Sequence, residues 1–162
     1  MRNAECSQFT AVQRGYRSNG RLYIVVFAEN TLNFGLIDGN QAARTGVLAC
    51  LGIFSILFAI PIELRAKRKR EEKRQKYLSL DPLGEEFIQE DKRNFRIHLR
   101  QVHRIVLTKT RNHWWRHLVS NTAYIDLIRD DYSRVRLVLP RDQYVEPVEN
   151  TLRQYFPKLR IE

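Results

Sequence analysis

The chain has 162 residues, 43% of them hydrophobic and 28% charged, with 7 glycines and 5 prolines. That length suits one domain with at most an appendage, and the mix excludes disordered and fibrous classes. Lys and Arg outnumber Asp and Glu by 28 to 18, a formal net charge of +10, so anionic partners are expected: lipid headgroups, nucleic acid or an acidic protein.

The mean hydropathy of −0.46 argues against a multi-span membrane protein and leaves room for one span. Cys6 and Cys50 are the only cysteines, which indicates neither a disulfide framework nor a CxxC metal site. The opening MRNAECSQFTAVQRGYRSNG has no apolar stretch, so no cleavable signal peptide is expected.

The N-terminal segment, 1–44, contains RLYIVVFAENTLNFGLI over 21–37. Leu22 to Phe27 and Thr31 to Ile37 are rich in strand formers, with turn residues between them at Ala28 to Asn30, so a β-hairpin is expected. Asp38-Gly39-Asn40 closes it with turn chemistry.

Thr45 to Ile62 then run for 18 residues without a charge. As a helix they reach about 27 Å, just under the roughly 30 Å of a bilayer core. Their ten strong insertion formers, from Val47 to Ile62, favour transfer into lipid by about 3–6 kcal/mol. A helix that is apolar all round belongs either in a bilayer or at the centre of a large core, and a chain of this size has little room for the second. A transmembrane or membrane-embedded helix is therefore expected over 45–64.

A basic juxtamembrane helix is expected over 65–80. RAKRKREEKRQK, residues 65–76, holds eight cations and two anions. Lys and Arg beside a span mark its cytoplasmic side and attract anionic headgroups. The candidate lipid- or anion-binding residues are Arg65, Lys67, Arg68, Lys69, Arg70, Lys73, Arg74 and Lys76. Glu71 and Glu72 at helical spacing from Arg68, Lys73, Arg74 and Lys76 fit a solvated helix equally well. Arg14, Arg17, Arg21 and Arg44 lie before the apolar run, so a helix that dips in and returns stays open.

Past the breakers Ser79 to Gly84, the pattern turns to short strands. Glu86–Glu90 is read with them. Phe95, Ile97 and Leu99 alternate with polar residues, Val102–Lys109 is strand-like, and HWWRHLV over 113–119 is a further strand candidate. Tyr124–Ile128 and Val135–Leu139 flank a turn, near which Asp126, Asp130 and Asp131 are read as turn acids. Tyr144, Val148, Leu152, Tyr155 and Phe156 mark one face of a closing helix, stopped by Pro157. Strands closed by one amphipathic helix make an α+β class over 86–157.

TAYIDLIRDDYSRVRLVLP, running straight into the helix RDQYVEPVENTLRQYF, resembles a pleckstrin-homology-like domain. NGRLYIVVFAENTLNF is similar to the opening strand pair of bacterial PH and GRAM-type domains. The resemblance implies an antiparallel sheet or partial barrel with a C-terminal helix, here interrupted by the apolar and basic helices. It also implies a membrane-associated binding or assembly module rather than an enzyme. If 45–62 spans a bilayer, hairpin 21–37 cannot join the C-terminal sheet; if it does not span, the hairpin can.

HWWRH offers His113 and His117 at HxxxH spacing without the Glu of HExxH, so no metal is expected. Trp114 and Trp115, between basic residues, are candidate interfacial anchors. GxSxG, P-loop, GxGxxG and paired-carboxylate motifs are missing from the sequence, so neither catalytic residues nor cofactors are expected. The leading expectation is a single-pass membrane-anchored, non-enzymatic adaptor. Its C-terminal domain would be cytoplasmic and would contact anionic membrane lipid, a protein partner or a second copy. The alternative is a soluble basic nucleic-acid-binding protein, for which the apolar run has no use.

Overall fold

The computed structural model describes residues 8–13, 20–39, 55–109, 123–140, 144–156 and 160–161. The elements in chain order are β1 (Gln8–Gln13), β2 (Arg21–Ala28), β3 (Thr31–Asp38), α1 (Ser55–Ser79), α2 (Glu85–Gln89) and β4 (Phe95–His98). After a 3-10 turn, Leu99–Gln101, come β5 (Val102–Lys109), β6 (Ala123–Arg129), β7 (Arg134–Val138), α3 (Val145–Tyr155) and β8 (Arg160–Ile161). The strands form one sheet in the order β4-β3-β2-β1-β7-β6-β5-β8. Neighbours pair antiparallel except β8, which lies parallel to β5.

Two meanders, β1–β4 and β5–β7, thus meet where β1 pairs with β7, Val12 opposite Val138 and Gln13 opposite Leu137. Strand alternation sends one set of side chains to an inner face. Phe9, Ala11, Tyr23, Val25, Phe27, Phe34, Leu36, Ile105, Leu107, Ile125, Leu127 and Leu137 are buried there. Helix α3 covers this face with Val148 and Leu152, and Tyr155 stacks on Phe27 with ring centroids 4.6 Å apart. Burying each large apolar side chain contributes about 1.5–3 kcal/mol, so the inner layer is the main core.

The outer face is apolar over β2 and β3, where Leu22, Ile24, Val26 and Ile37 meet Tyr77 and Phe87. Helix α1 docks here. Its inward side chains Ala66, Arg70, Arg74 and Tyr77 follow a spacing of four, four and three, one face of a helix. The Tyr77 ring rests on Gly35, where a built Cβ would stand 2.8 Å from two ring carbons. No larger residue on β3 leaves room for this approach. Buried Asn94 (8% exposed) binds the layers together: Nδ2 donates to the Tyr77 hydroxyl at 3.0 Å and the Phe87 carbonyl at 2.8 Å. Its Oδ1 accepts the Leu36 N–H at 2.8 Å.

Several expectations are corrected. Among the described residues no helix is long and apolar enough to cross a membrane. The transmembrane helix over 45–64 is overturned, and with it the single-pass membrane address. The physical reasons lie in α1 and in the sheet. Within the described part of α1, the uncharged residues Ser55 to Ile62 reach about 12 Å at 1.5 Å per residue. Glu63 follows at once and Arg65 two residues later, and residues 45–54 lie outside the described residues. Hairpin β2–β3 and strands β5–β7 also share one sheet, which a spanning helix between them forbids. The expected partial barrel is instead an open sheet, since four-residue β4 and two-residue β8 stand at opposite ends of the strand order. Glu86–Glu90, read as strand-like, instead falls on the short helix α2 and its C-terminal cap Glu90.

Candidate functional site

Helix α1 brings the predicted basic residues onto one rod and divides them by partner. Arg70 turns inward, 23% exposed, and donates from Nε to Asp38 Oδ2 at 3.0 Å and from Nη1 to Glu63 Oε1 at 3.3 Å. Lys76 pairs with Glu90 at 2.6 Å. Arg68 pairs with Glu72 at 3.4 Å and Arg74 with Glu71 at 3.8 Å. Lys73 contributes to the field on Asp91. Arg65, Lys67 and Lys69 are exposed and have no carboxylate within 4.0 Å among the described residues. The predicted set is therefore not one site. Arg70 anchors the helix, and Arg65, Lys67, Lys69 and Lys73 are exposed with no carboxylate within 4.0 Å among the described residues. Trp114 and Trp115 fall outside the described residues.

The connections on either side of α2, between α1 and β4, are held by charge. Arg93 donates from Nε and Nη2 to Asp91 at 3.0 and 2.9 Å, and its N–H adds a third bond at 3.0 Å. These bonds from Arg93 hold the Asp91 carboxyl down at about 2. Arg96 donates from Nε to Asn33 Oδ1 at 2.6 Å, and its Nη2 reaches the Pro82, Leu83 and Gly84 carbonyls at 3.0–3.4 Å. Burial pushes the Tyr77 phenol up, in keeping with its place on the face of α1 that packs against the sheet.

Sequence reasoning missed a second charged cluster. Asp126 was expected near a turn, yet it lies in mid-β6, pointing to the outer face with a side chain 6% exposed. Its cross-strand partner is Arg136, and Arg134 sits one outer-face step along β7, opposite Ile128. Arg136 donates from Nε and Nη2 to the two Asp126 oxygens at 2.9 and 3.2 Å. Arg134 grips the same carboxylate with the same two groups, Nε at 2.7 Å and Nη2 closer still. The Arg136 guanidinium also lies 5.7 Å from the centre of the Tyr124 ring. The sequence signal was the period-two spacing of Tyr124, Asp126 and Ile128 against Arg134 and Arg136.

A surface cleft of about 570 Å³ is lined by Asn30, His98 and Arg100, at the β2–β3 turn and the end of β4. His98 and Arg100 are exposed, and the Asn30 carbonyl accepts the Leu99 N–H at 2.8 Å. Among the described residues no group of three or more His, Cys, Asp or Glu stands close enough to hold a metal ion. Comparison with family models, curated proteins and solved structures finds no match for the chain.

Proposed function

We propose that the protein is a non-enzymatic binding module whose helix α1 docks on the anionic headgroups of a lipid surface. The supporting observation is the asymmetry of α1. Arg70 is used internally against Asp38 and Glu63, whereas Arg65, Lys67 and Lys69 face outward without a carboxylate partner among the described residues. The described part of the same rod includes the uncharged stretch Ser55–Ile62. Cations next to an uncharged stretch suit a surface with headgroups above and acyl chains below. The reading needs no segment that crosses a bilayer.

Sedimentation with vesicles tests it. The full chain is expected to bind vesicles containing phosphatidylglycerol, to ignore pure phosphatidylcholine, and to release at high salt. Each cation near such a surface contributes about 1 kcal/mol, so the triple variant R65Q/K67Q/K69Q should bind about two orders of magnitude more weakly. Equal binding to neutral vesicles, or indifference to the triple substitution, overturns the reading. A single-stranded RNA oligonucleotide run in parallel tests the nucleic-acid alternative, which the same three cations support. RNA bound more tightly than vesicles, with the triple variant weakening it, would favour that alternative.

A further inference from the structure

The outer face of the sheet is covered over β2 and β3 by α1, but over β6 and β7 it carries the Asp126 cluster. A single arginine neutralises a carboxylate. Here two grip the same one, leaving the group with one unit of excess positive charge. Each arginine spends its Nε and Nη2 on Asp126. Each Nη1 is left without a hydrogen bond to any described residue. The side chains of Arg134 and Arg136 are 51% and 43% exposed, against 6% for the acid beneath them. Asp126 is thus a buried pedestal that fixes two guanidinium planes and leaves their far edges toward solvent.

A third cation extends the row. Arg104 on β5 is exposed and pairs in register with Ile128, whose other partner is Arg134. Two strand spacings, about 10 Å, separate the Arg104 and Arg134 backbones. No carboxylate lies within 4.0 Å of Arg104 among the described residues. Fixed guanidinium forks match the oxygens of a phosphate group and lose little freedom on binding one.

We infer that the outward edges of Arg134 and Arg136, oriented by Asp126 and flanked by Arg104, form a binding site for a phosphate group. The ligand's oxygens take the Nη1 donors, and its charge offsets the excess on the cluster. This site lies on a different part of the sheet from α1 and stands or falls independently of the lipid reading. The phosphate could be carried by a small molecule or by a lipid headgroup.

Charge-preserving substitutions separate a shaped site from diffuse attraction. The arginine Nε–H signals of the full chain are followed by NMR during titration with inorganic phosphate at constant ionic strength, and again with phosphatidylglycerol vesicles. Saturable shifts at Arg134 and Arg136 are expected. R134K and R136K keep the charge and lose the fork, and each should weaken binding about tenfold. Asp126→Asn raises the net charge but removes the pedestal, and it too should weaken binding; retained spectral dispersion shows that the variant is folded. Saturation by free phosphate identifies a small-molecule ligand. Saturation by vesicles alone identifies a headgroup. No saturable shift with either probe overturns the inference, as does unchanged affinity in both lysine variants or tighter binding in folded Asp126→Asn.

Discussion

Asp91 illustrates how a single side chain makes stability depend on pH. Three bonds from Arg93 stabilise its ionised form and hold its carboxyl at about 2. Lys109, 2.6 Å from Glu149, likewise holds that carboxyl below its ordinary value, with help from Arg153. A carboxylate depressed in the folded state contributes stability that is fully present above its unfolded value near 4. That contribution is lost as pH falls toward the folded value. Arg93 is 41% exposed, so solvent screening keeps the Asp91 share under about 1 kcal/mol. Urea unfolding of wild type and D91N should therefore differ at pH 6 and converge near pH 2. A gap independent of pH would show that the pair does not act through ionisation. Asp126 is the residue that the sequence presented least well. An acid amid strand formers, four residues before Asp130-Asp131, reads as part of the turn. Its burial depends on two arginines across a strand pair, and nothing local announces that contact.

At the scale of elements, Asn94 does the work of a missing strand contact. One side chain joins Leu36 on β3, Tyr77 on α1 and Phe87 on α2. Truncation strands a buried amide, a carbonyl and a phenol at once. Asn94→Ala is expected to cost at least about 3 kcal/mol, from the roughly 1–3 kcal/mol of each of the three buried polar groups left unpaired. Chemical denaturation measures it, and a loss below about 0.5 kcal/mol would mean that water replaces the amide. Elements with strong local patterns were legible. Leu22–Phe27 and Thr31–Ile37 show dense strand formers, Val102–Lys109 shows a strand, and the face Val148–Leu152–Tyr155 shows a helix; the structure has those elements there. Three short elements escaped: β1, α2 and the two-residue β8. QFTAVQ forms β1 although only Phe9, Ala11 and Val12 are apolar, because β2 and β7 on either side supply its pairing. EEFIQ is helical although its five residues suit a strand equally, and its Phe87 fills the space beneath α1. Among the candidate site residues, cation density was plain in the sequence. Which cations are internally satisfied was not, since Asp38 and Glu90 reach Arg70 and Lys76 only through the fold.

Across the whole molecule, β1 is the seam. It carries β2 on one side and β7 on the other, and Ala11 at its centre is fully buried in the shared core. The two meanders are therefore expected to unfold together. Ala11→Leu adds volume where neither meander has space, and it should cost about 1–3 kcal/mol. Hydrogen exchange should show that loss equally in β2–β3 and in β6–β7, within a single transition. Protection lost in one meander alone would reveal two independent halves.

The place of β1 also bears on how the chain is born. Synthesis delivers β1 and β2 early, and they can pair as soon as they emerge. The other margin of β1 then waits, with backbone donors and acceptors unclaimed, until β7 has been made. During that interval the nascent chain offers an open strand to any passing extended segment. Contacts so distant along the chain also slow the search for the native arrangement. A slow late step in refolding, in which β7 closes on β1, is the expected outcome.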